Sequence, residues 1–177
     1  MTAMTGSPSP PPHRRGKGRP DKNGKDGRTP LGQTAAGRFL EDLSVGDAAE
    51  RTITITEAAI EAFAAVSGDH NPVHLDQAYA ETTVFRGRIA HGMLSAAYIS
   101  ALLAGELPGP GAIYLTQTLE FLRPVRIGDA LTVRVEVVAI DDKSAAVTLA
   151  TSCALGRRAA VRGQAQVQVP RRPAEAA

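Results

Sequence analysis

The segment from Ile89 to Ala104 is apolar on nearly every face, with Met93, Leu94, Ala96, Ala97, Tyr98, Ile99, Ala101, Leu102 and Leu103 leaving no polar stripe for solvent. A helix of that kind has to be wrapped by other structure. It is not a membrane span: about 16 residues fall short of the usual 18–20, and His91, Ser95 and Ser100 interrupt it.

The rest of the chain supplies the wrapping. Arg51-Thr52-Ile53-Thr54-Ile55 alternates with period two, as a half-buried strand does. Ile113–Leu122 reads as a second strand and is followed by the turn Ile127-Gly128-Asp129. Leu131, Val133, Val135 and Val137 then alternate with Thr132, Arg134 and Glu136. After Asp141-Asp142-Lys143, Val147, Leu149, Thr151 and Cys153 share a face; after Gly156-Arg157-Arg158, so do Val161, Gly163, Ala165, Val167 and Val169. Strands with one apolar face joined by short turns are antiparallel. The expected fold is α+β: a curved antiparallel sheet of about five strands, arranged as a meander, around one central apolar helix. Its open edges need cover, which pairing with a second copy would provide.

Thr56 is placed to cap a helix from Glu57 to Val66, ended by Ser67-Gly68, and a shorter helical piece is expected near Asp76–Thr82. Upstream of Phe39 the character changes. Residues 1–38 hold six of the twelve prolines, seven of the seventeen glycines, and eight Lys/Arg against Asp21 and Asp26. With almost no apolar surface to bury, such a stretch cannot offset its ordering entropy, so it is expected to be a disordered basic tail. It lacks the aromatics of a nucleic-acid arm, its prolines oppose an amphipathic transit helix, and no apolar run suggests secretion. An upstream extension from a wrong start codon fits it equally. The expected domain is 39–170, with 171–177 a disordered C-terminus. A single Cys153 excludes a disulfide framework, and no Cys/His cluster offers a structural zinc site; a reducing, cytoplasmic setting follows.

The chemistry concentrates in Phe63-Ala64-Ala65-Val66-Ser67-Gly68-Asp69-His70-Asn71-Pro72-Val73-His74-Leu75-Asp76. Pro72 has no N–H and pushes Asn71 out of the helical region, so the backbone turns between Asp69 and His74 and their side chains can converge. A carboxylate beside an imidazole is a natural pair for holding a water and moving its protons near neutral pH. The same spacing also fits a solvated turn in which Asp69 caps local N–H groups and His74 packs.

In Arg88-Ile89-Ala90-His91-Gly92-Met93-Leu94 a glycine stands at the start of the apolar helix, where unpaired N–H groups and the positive dipole end gather. That terminus suits an anion or a developing oxyanion. Ordinary helix-entry packing fits it as well.

Taken together and in this order, the two segments resemble the MaoC-like hydratase/dehydratase family, in particular the (R)-specific enoyl-CoA hydratases that feed polyester synthesis. The likeness runs from about Phe39 to Pro170 and includes Gly111-Ala112-Ile113-Tyr114-Leu115 and Phe121-Leu122-Arg123-Pro124-Val125. It implies a hot-dog fold, a homodimer, and an acyl-CoA thioester bound near the subunit interface, with no metal or redox cofactor. It also implies a catalytic dyad of Asp69 and His74, with Gly92 as backbone donor to the thioester oxygen. Asn71 and Pro72 would hold the loop, and Ser100 falls where the family often has a serine lining the acyl pocket. The expected substrate-binding set is Asn71, His91, Met93, Leu94, Tyr98, Ser100 and Leu103, with the acyl tail lying along the helix among Leu94, Tyr98, Leu102 and Leu103. His70 stands where relatives often carry an aromatic ring. Arg86-Gly87-Arg88 is a candidate contact for a CoA phosphate.

Three other activities fit the same fold: a dehydratase acting on acyl-carrier-protein substrates, a hot-dog thioesterase, and a non-catalytic acyl-CoA-binding module. Thioesterases of this fold generally place a carboxylate on or near the central helix, and none lies between Ile89 and Gly105. A module binding nucleic acid through the basic tail would lose affinity steeply with salt.

Overall fold

The protein is described here as a computed structural model covering residues 37–174. The expectations for the basic tail up to residue 36, and for residues 175–177, fall outside the described residues.

After a short 3-10 turn at Leu40–Asp42 come strand β1 (Ala48–Thr54), helices α1 (Glu57–Ser67), α2 (Pro72–Leu75), α3 (Gln77–Thr82) and α4 (Gly92–Gly105), then strands β2 (Ile113–Phe121), β3 (Ala130–Asp141), β4 (Ala146–Leu155) and β5 (Arg158–Gln168). The five strands form one antiparallel sheet in the order β1-β3-β4-β5-β2. Only β3, β4 and β5 form the expected meander. β2 crosses to the far edge beside β5, so two strands distant in sequence from their neighbours flank a local three-stranded unit.

The period-two pattern sets the register. Val133 lies opposite Cys153, which lies opposite Val161; Val137 lies opposite Leu149, which lies opposite Ala165. These apolar rows are buried and form the core together with Leu94, Ile99, Leu102 and Leu103 of α4. A one-residue slip would turn each row to the solvent, so the core fixes the pairing. Gly156, at φ 57°, closes the tight β4–β5 turn.

The sheet covers one side of α4 only. Leu94, Ser95, Ile99, Leu102 and Leu103 are buried, while Met93, Ala97, Ser100, Ala101 and Ala104 form an exposed stripe at helical spacing. The all-round wrapping expected from the composition is therefore incomplete in a single chain. The neighbouring edge strand is exposed too: Ile113 is 59% and Leu115 48% accessible. No described helix is long and apolar enough to cross a membrane.

At the other end, Arg172 lies past the expected domain boundary yet is tied down. Its N–H donates to Glu41 at 2.9 Å, its guanidinium pairs with Asp42, and its charge sits 5.3 Å from the Phe39 ring.

Candidate active site

Local rules build the loop that carries the candidate acid and imidazole. The Thr56 hydroxyl caps α1 by accepting from Ala59 N–H at 3.1 Å, and Gly68, at φ 75°, ends it in the left-handed conformation that glycine adopts without a Cβ clash. Asn71 N–H then donates to Asp69 Oδ1 at 3.2 Å, and Asn71 Oδ1 accepts from Val73 N–H at 3.2 Å. With Pro72 in the first turn, this starts a single helical turn, α2, where the sequence predicts a loop. Four residues are too few to show a helical period. The turn carries the His74 side chain back beside Asp69.

A carboxylate oxygen of Asp69 and ring nitrogens of His74 and His91 all lie within 4.8 Å of one another. Asp69 belongs to an exposed stretch of loop, while His74 and His91 are buried. His74 Nδ1 is 2.9 Å from the Ile89 carbonyl oxygen. A carbonyl only accepts, so Nδ1 carries the proton and Nε2 presents a lone pair. Burial pushes the His74 pKa below its ordinary value, and the neighbouring His91 ring adds to that; the Ile89 bond and the Asp69 charge act in the opposite direction.

These groups border a cavity of about 480 Å³. Its wall also includes Ile89, Ala90, Gly92, Met93 and Ser95 at the start of α4, the run Phe121-Leu122-Arg123-Pro124-Val125 at the end of β2, and Phe85 and Val161. Gly92 is the first residue of α4, where helix geometry provides its N–H with no acceptor. The segment before it is positioned by long-range bonds: Ile89 N–H donates to Val73 O at 3.3 Å and Ala90 N–H to Val125 O at 2.7 Å. Those bonds hold Ile89 and Ala90 outside the helix, which begins at Gly92, later than its apolar composition suggests.

Of the residues read from the sequence, Asp69, His74, His91, Gly92 and Met93 meet at this cavity. Asn71 acts on the loop rather than on the cavity. Leu94, Leu102 and Leu103 are core residues, Tyr98 packs against that core, and Ser100 lies on the exposed stripe; none of them borders the cavity of the single chain. Ser95, one turn from the helix start, is the serine that does. His70 is exposed and does not border it either. Arg88 is engaged internally, donating from Nε to His74 O at 2.8 Å and from Nη1 to Glu57 at 2.5 Å, so of the two arginines only Arg86 projects to solvent. The cation on the cavity wall is Arg123.

Phe121, Arg123 and Ser95 were not singled out from the sequence. The first two lie within a family-like string, but nothing in that string says that the end of β2 reaches the start of α4. Asp69, His74 and His91 also constitute a possible ligand set for a metal ion. The Ile89 and Asp69 carbonyls already engage His74 Nδ1 and His91 Nε2, so an ion using either nitrogen would have to displace a hydrogen bond. Free Cys153 is buried and its pKa is pushed up to about 12, which keeps the thiol inert.

Residues 45–155 match the MaoC like domain family. The chain is 48% identical over 134 residues to an (R)-specific enoyl-CoA hydratase of Rhodospirillum rubrum, covering 76% of this chain and 93% of that protein. It is 45% identical over 131 residues to the (R)-specific enoyl-CoA hydratase of Aeromonas caviae, covering 73% and 98%. Among solved structures it resembles the unliganded R-hydratase PhaJ1 of Pseudomonas aeruginosa, with a TM-score of 0.73 and 48% identity over 80% of this chain and 94% of that one. The Aeromonas caviae (R)-hydratase involved in PHA biosynthesis superposes with a TM-score of 0.71 at 45% identity, covering 73% and 99%. The hot-dog architecture expected from the sequence is the architecture of these relatives.

Proposed function

The chain belongs to the MaoC-like family, and from that premise we propose that it is an (R)-specific enoyl-CoA hydratase, adding water reversibly to trans-2-enoyl-CoA to give (R)-3-hydroxyacyl-CoA. The observation that carries this reading is the meeting of a carboxylate and a neutral imidazole at one cavity with the unpaired N–H of a helix start.

Hydration needs a nucleophilic oxygen at C3, a proton at C2, and stabilisation of the negative charge that develops on the thioester oxygen. Asp69 and His74 Nε2 both accept hydrogen bonds, so a water between them is oriented and ready to lose a proton. The dyad takes that proton as oxygen bonds to C3 and returns one to C2 on the same face. The acid and base work is shared between the two groups. Gly92 N–H and the positive end of α4 stabilise the enolate-like oxygen, a contribution of roughly 2.7–4 kcal/mol for one such donor. No step calls for a metal or redox cofactor.

The apolar part of the wall, including Ile89, Met93, Phe121 and Val161, suits the acyl chain, and Arg123 suits the charged carrier. We propose a homodimer. The exposed stripe of α4 and the apolar edge strand β2 lie beside the cavity wall, since Met93 and Phe121 belong both to the exposed surface and to the lining. A second copy covering this surface would complete the site and remove an open edge. Residues 39–170 then act as one domain, and the single buried, free cysteine supports a reducing cytoplasmic setting.

The thioesterase reading is disfavoured because Glu106, at the end of α4, is paired with Arg51 and does not border the cavity. A dehydratase working on acyl-carrier-protein substrates would use the same site with a different handle. Crotonyl-CoA is the test substrate: loss of its conjugated enoyl absorbance, with chiral analysis showing (R)-3-hydroxybutyryl-CoA, is the expected outcome. Free thiol released from a saturated acyl-CoA would favour a thioesterase, and binding without turnover a non-catalytic module.

A further inference from the structure

His74 and His91 each donate to the backbone of the segment that carries the other. His74, on α2, bonds the carbonyl of Ile89 in the run leading into α4, at 2.9 Å. His91, the residue preceding α4, bonds the carbonyl of Asp69 in the run leading into α2, with Nε2 3.0 Å from the oxygen. Between these crossed bonds the two rings stack, with centroids 3.9 Å apart and an interplanar angle of 32°. The Phe63 ring packs on His91 at 5.0 Å and 52°.

The chemistry of the acceptors fixes the protons. Both acceptors are carbonyl oxygens, so both ring nitrogens facing them are N–H donors. His74 is therefore the Nδ1–H tautomer and His91 the Nε2–H tautomer. One further observation fits only the second assignment. Nδ1 of His91 is, among the described residues, the one buried side-chain nitrogen or oxygen with no hydrogen-bond partner. A lone-pair nitrogen tolerates that position, whereas a buried N–H without an acceptor carries a larger desolvation cost.

We propose that this reciprocal imidazole clasp makes His91 a positioning residue of the hydratase site, holding the Asp69 main chain and the His74 ring at a fixed spacing from the Gly92 amide. The two segments that the clasp joins carry the two halves of the proposed chemistry: Asp69 and His74 on one, Gly92 on the other. Without the clasp, Asp69 retains only local bonds within its own exposed loop, from Asn71 and to Ser67. The other bonds between the two segments, from Ile89 N–H to Val73 O and from Arg88 Nε to His74 O, fasten α2 and not Asp69, so the Asp69 end of the loop is left free to shift relative to α4. A displacement of about 1 Å at a reacting centre is enough to cost on the order of 100-fold. The effect falls on turnover rather than on binding, because the acyl and carrier contacts lie elsewhere on the cavity wall.

The inference rests on the hydratase reading for its catalytic consequence but not for its geometry, and the experiment separates the two. In wild-type enzyme labelled with ¹⁵N in its histidine rings, NMR near neutral pH is expected to show opposite tautomers, Nδ1–H for His74 and Nε2–H for His91. Steady-state hydration of crotonyl-CoA is then compared for His91→Phe, which keeps the stacked ring but loses the donor, and His91→Gln, whose amide N–H reaches the position of Nε2. The Phe variant is expected to lose about 10–100-fold in kcat with KM changed less than about threefold, and the Gln variant to recover most of that loss. A His91 ring protonated at Nδ1 alone, a Phe variant with near-normal kcat, a loss confined to KM, or a Gln variant no better than Phe would each overturn the proposal. Should either variant fail to fold, the wild-type tautomers still decide it. Absence of crotonyl-CoA hydration by wild-type enzyme would instead overturn the hydratase reading and leave the clasp standing.

Discussion

The Phe121 ring packs against the Cα of Gly92 so closely that a Cβ built there would lie 2.8 Å from Cε1 and 2.9 Å from Cδ1 of that ring. Any larger residue there would have to displace the half-exposed Phe121 ring, so a neighbour within the chain favours glycine at the proposed oxyanion position. The end of β2 and the start of α4 meet in this way.

Replacing Gly92 with Ala keeps the N–H but forces the Phe121 ring, part of the cavity wall, to move. We expect kcat/KM for crotonyl-CoA to fall by about 10–100-fold, and the double change with Phe121→Ala to recover part of that loss. A double variant as slow as the single one would show that the alanine methyl itself, and not the displaced ring, obstructs the site. The comparison is a steady-state assay on two purified variants.

Asp69→Asn and His74→Ala each remove a partner of the proposed water. Each is expected to lower turnover on the order of 100-fold or more while far-UV circular dichroism stays that of the wild type. Near-normal hydration by either variant would exclude the dyad.

The lowered His74 pKa gives a pH dependence with a defined sign. The unfolded chain takes up the proton at the ordinary value of 6.5, the folded chain only at a lower pH. The stability linked to this group is thus fully present above 6.5 and is lost as the pH falls through 6.5 and past the folded value. We expect the acid limb of kcat/KM to lie below 6.5. Thermal midpoints should decline between pH 7 and pH 5 by more in the wild type than in His74→Gln.

A charge on the open edge strand tests the assembly. Leu115, 48% accessible on β2, is expected to lie in the dimer contact, so Leu115→Glu should convert a dimer into a monomer in sedimentation velocity and lower activity with it. A variant that remains dimeric, or a monomer as active as the wild type, would move the site away from the interface.

The parts of this protein that were legible in its sequence are those governed by neighbours in the chain. Thr56 and Gly68 bracket α1 through local hydrogen bonds and backbone geometry, and the alternation of Val133, Val135 and Val137 marks a strand with one buried face. Asp69 and His74 could be paired because Pro72 forces a turn between them. What was not legible depends on contacts distant in sequence. Ile89 and Ala90 look helical but donate to Val73 and Val125, and His91 reaches back 22 residues to the Asp69 carbonyl. Ser100 was expected from the family resemblance; a helix apolar on all faces has no period to mark Ser95, which borders the cavity of the single chain. The same lack of contrast concealed the exposed stripe from Met93 to Ala104. The place of β2 at the far edge likewise follows from pairing with β5 and leaves no mark in its own residues.

The central claim is that one pair of side chains delivers both the oxygen and the proton to one face of the double bond. Hydration of crotonyl-CoA in D2O tests it directly, since the relative configuration of the C2 deuterium and the C3 hydroxyl is read from proton coupling constants in the product. Syn addition, with the (R) configuration at C3, is the expected result. Anti addition, or deuterium scrambled over both faces of C2, would mean that the proton comes from somewhere other than Asp69 and His74.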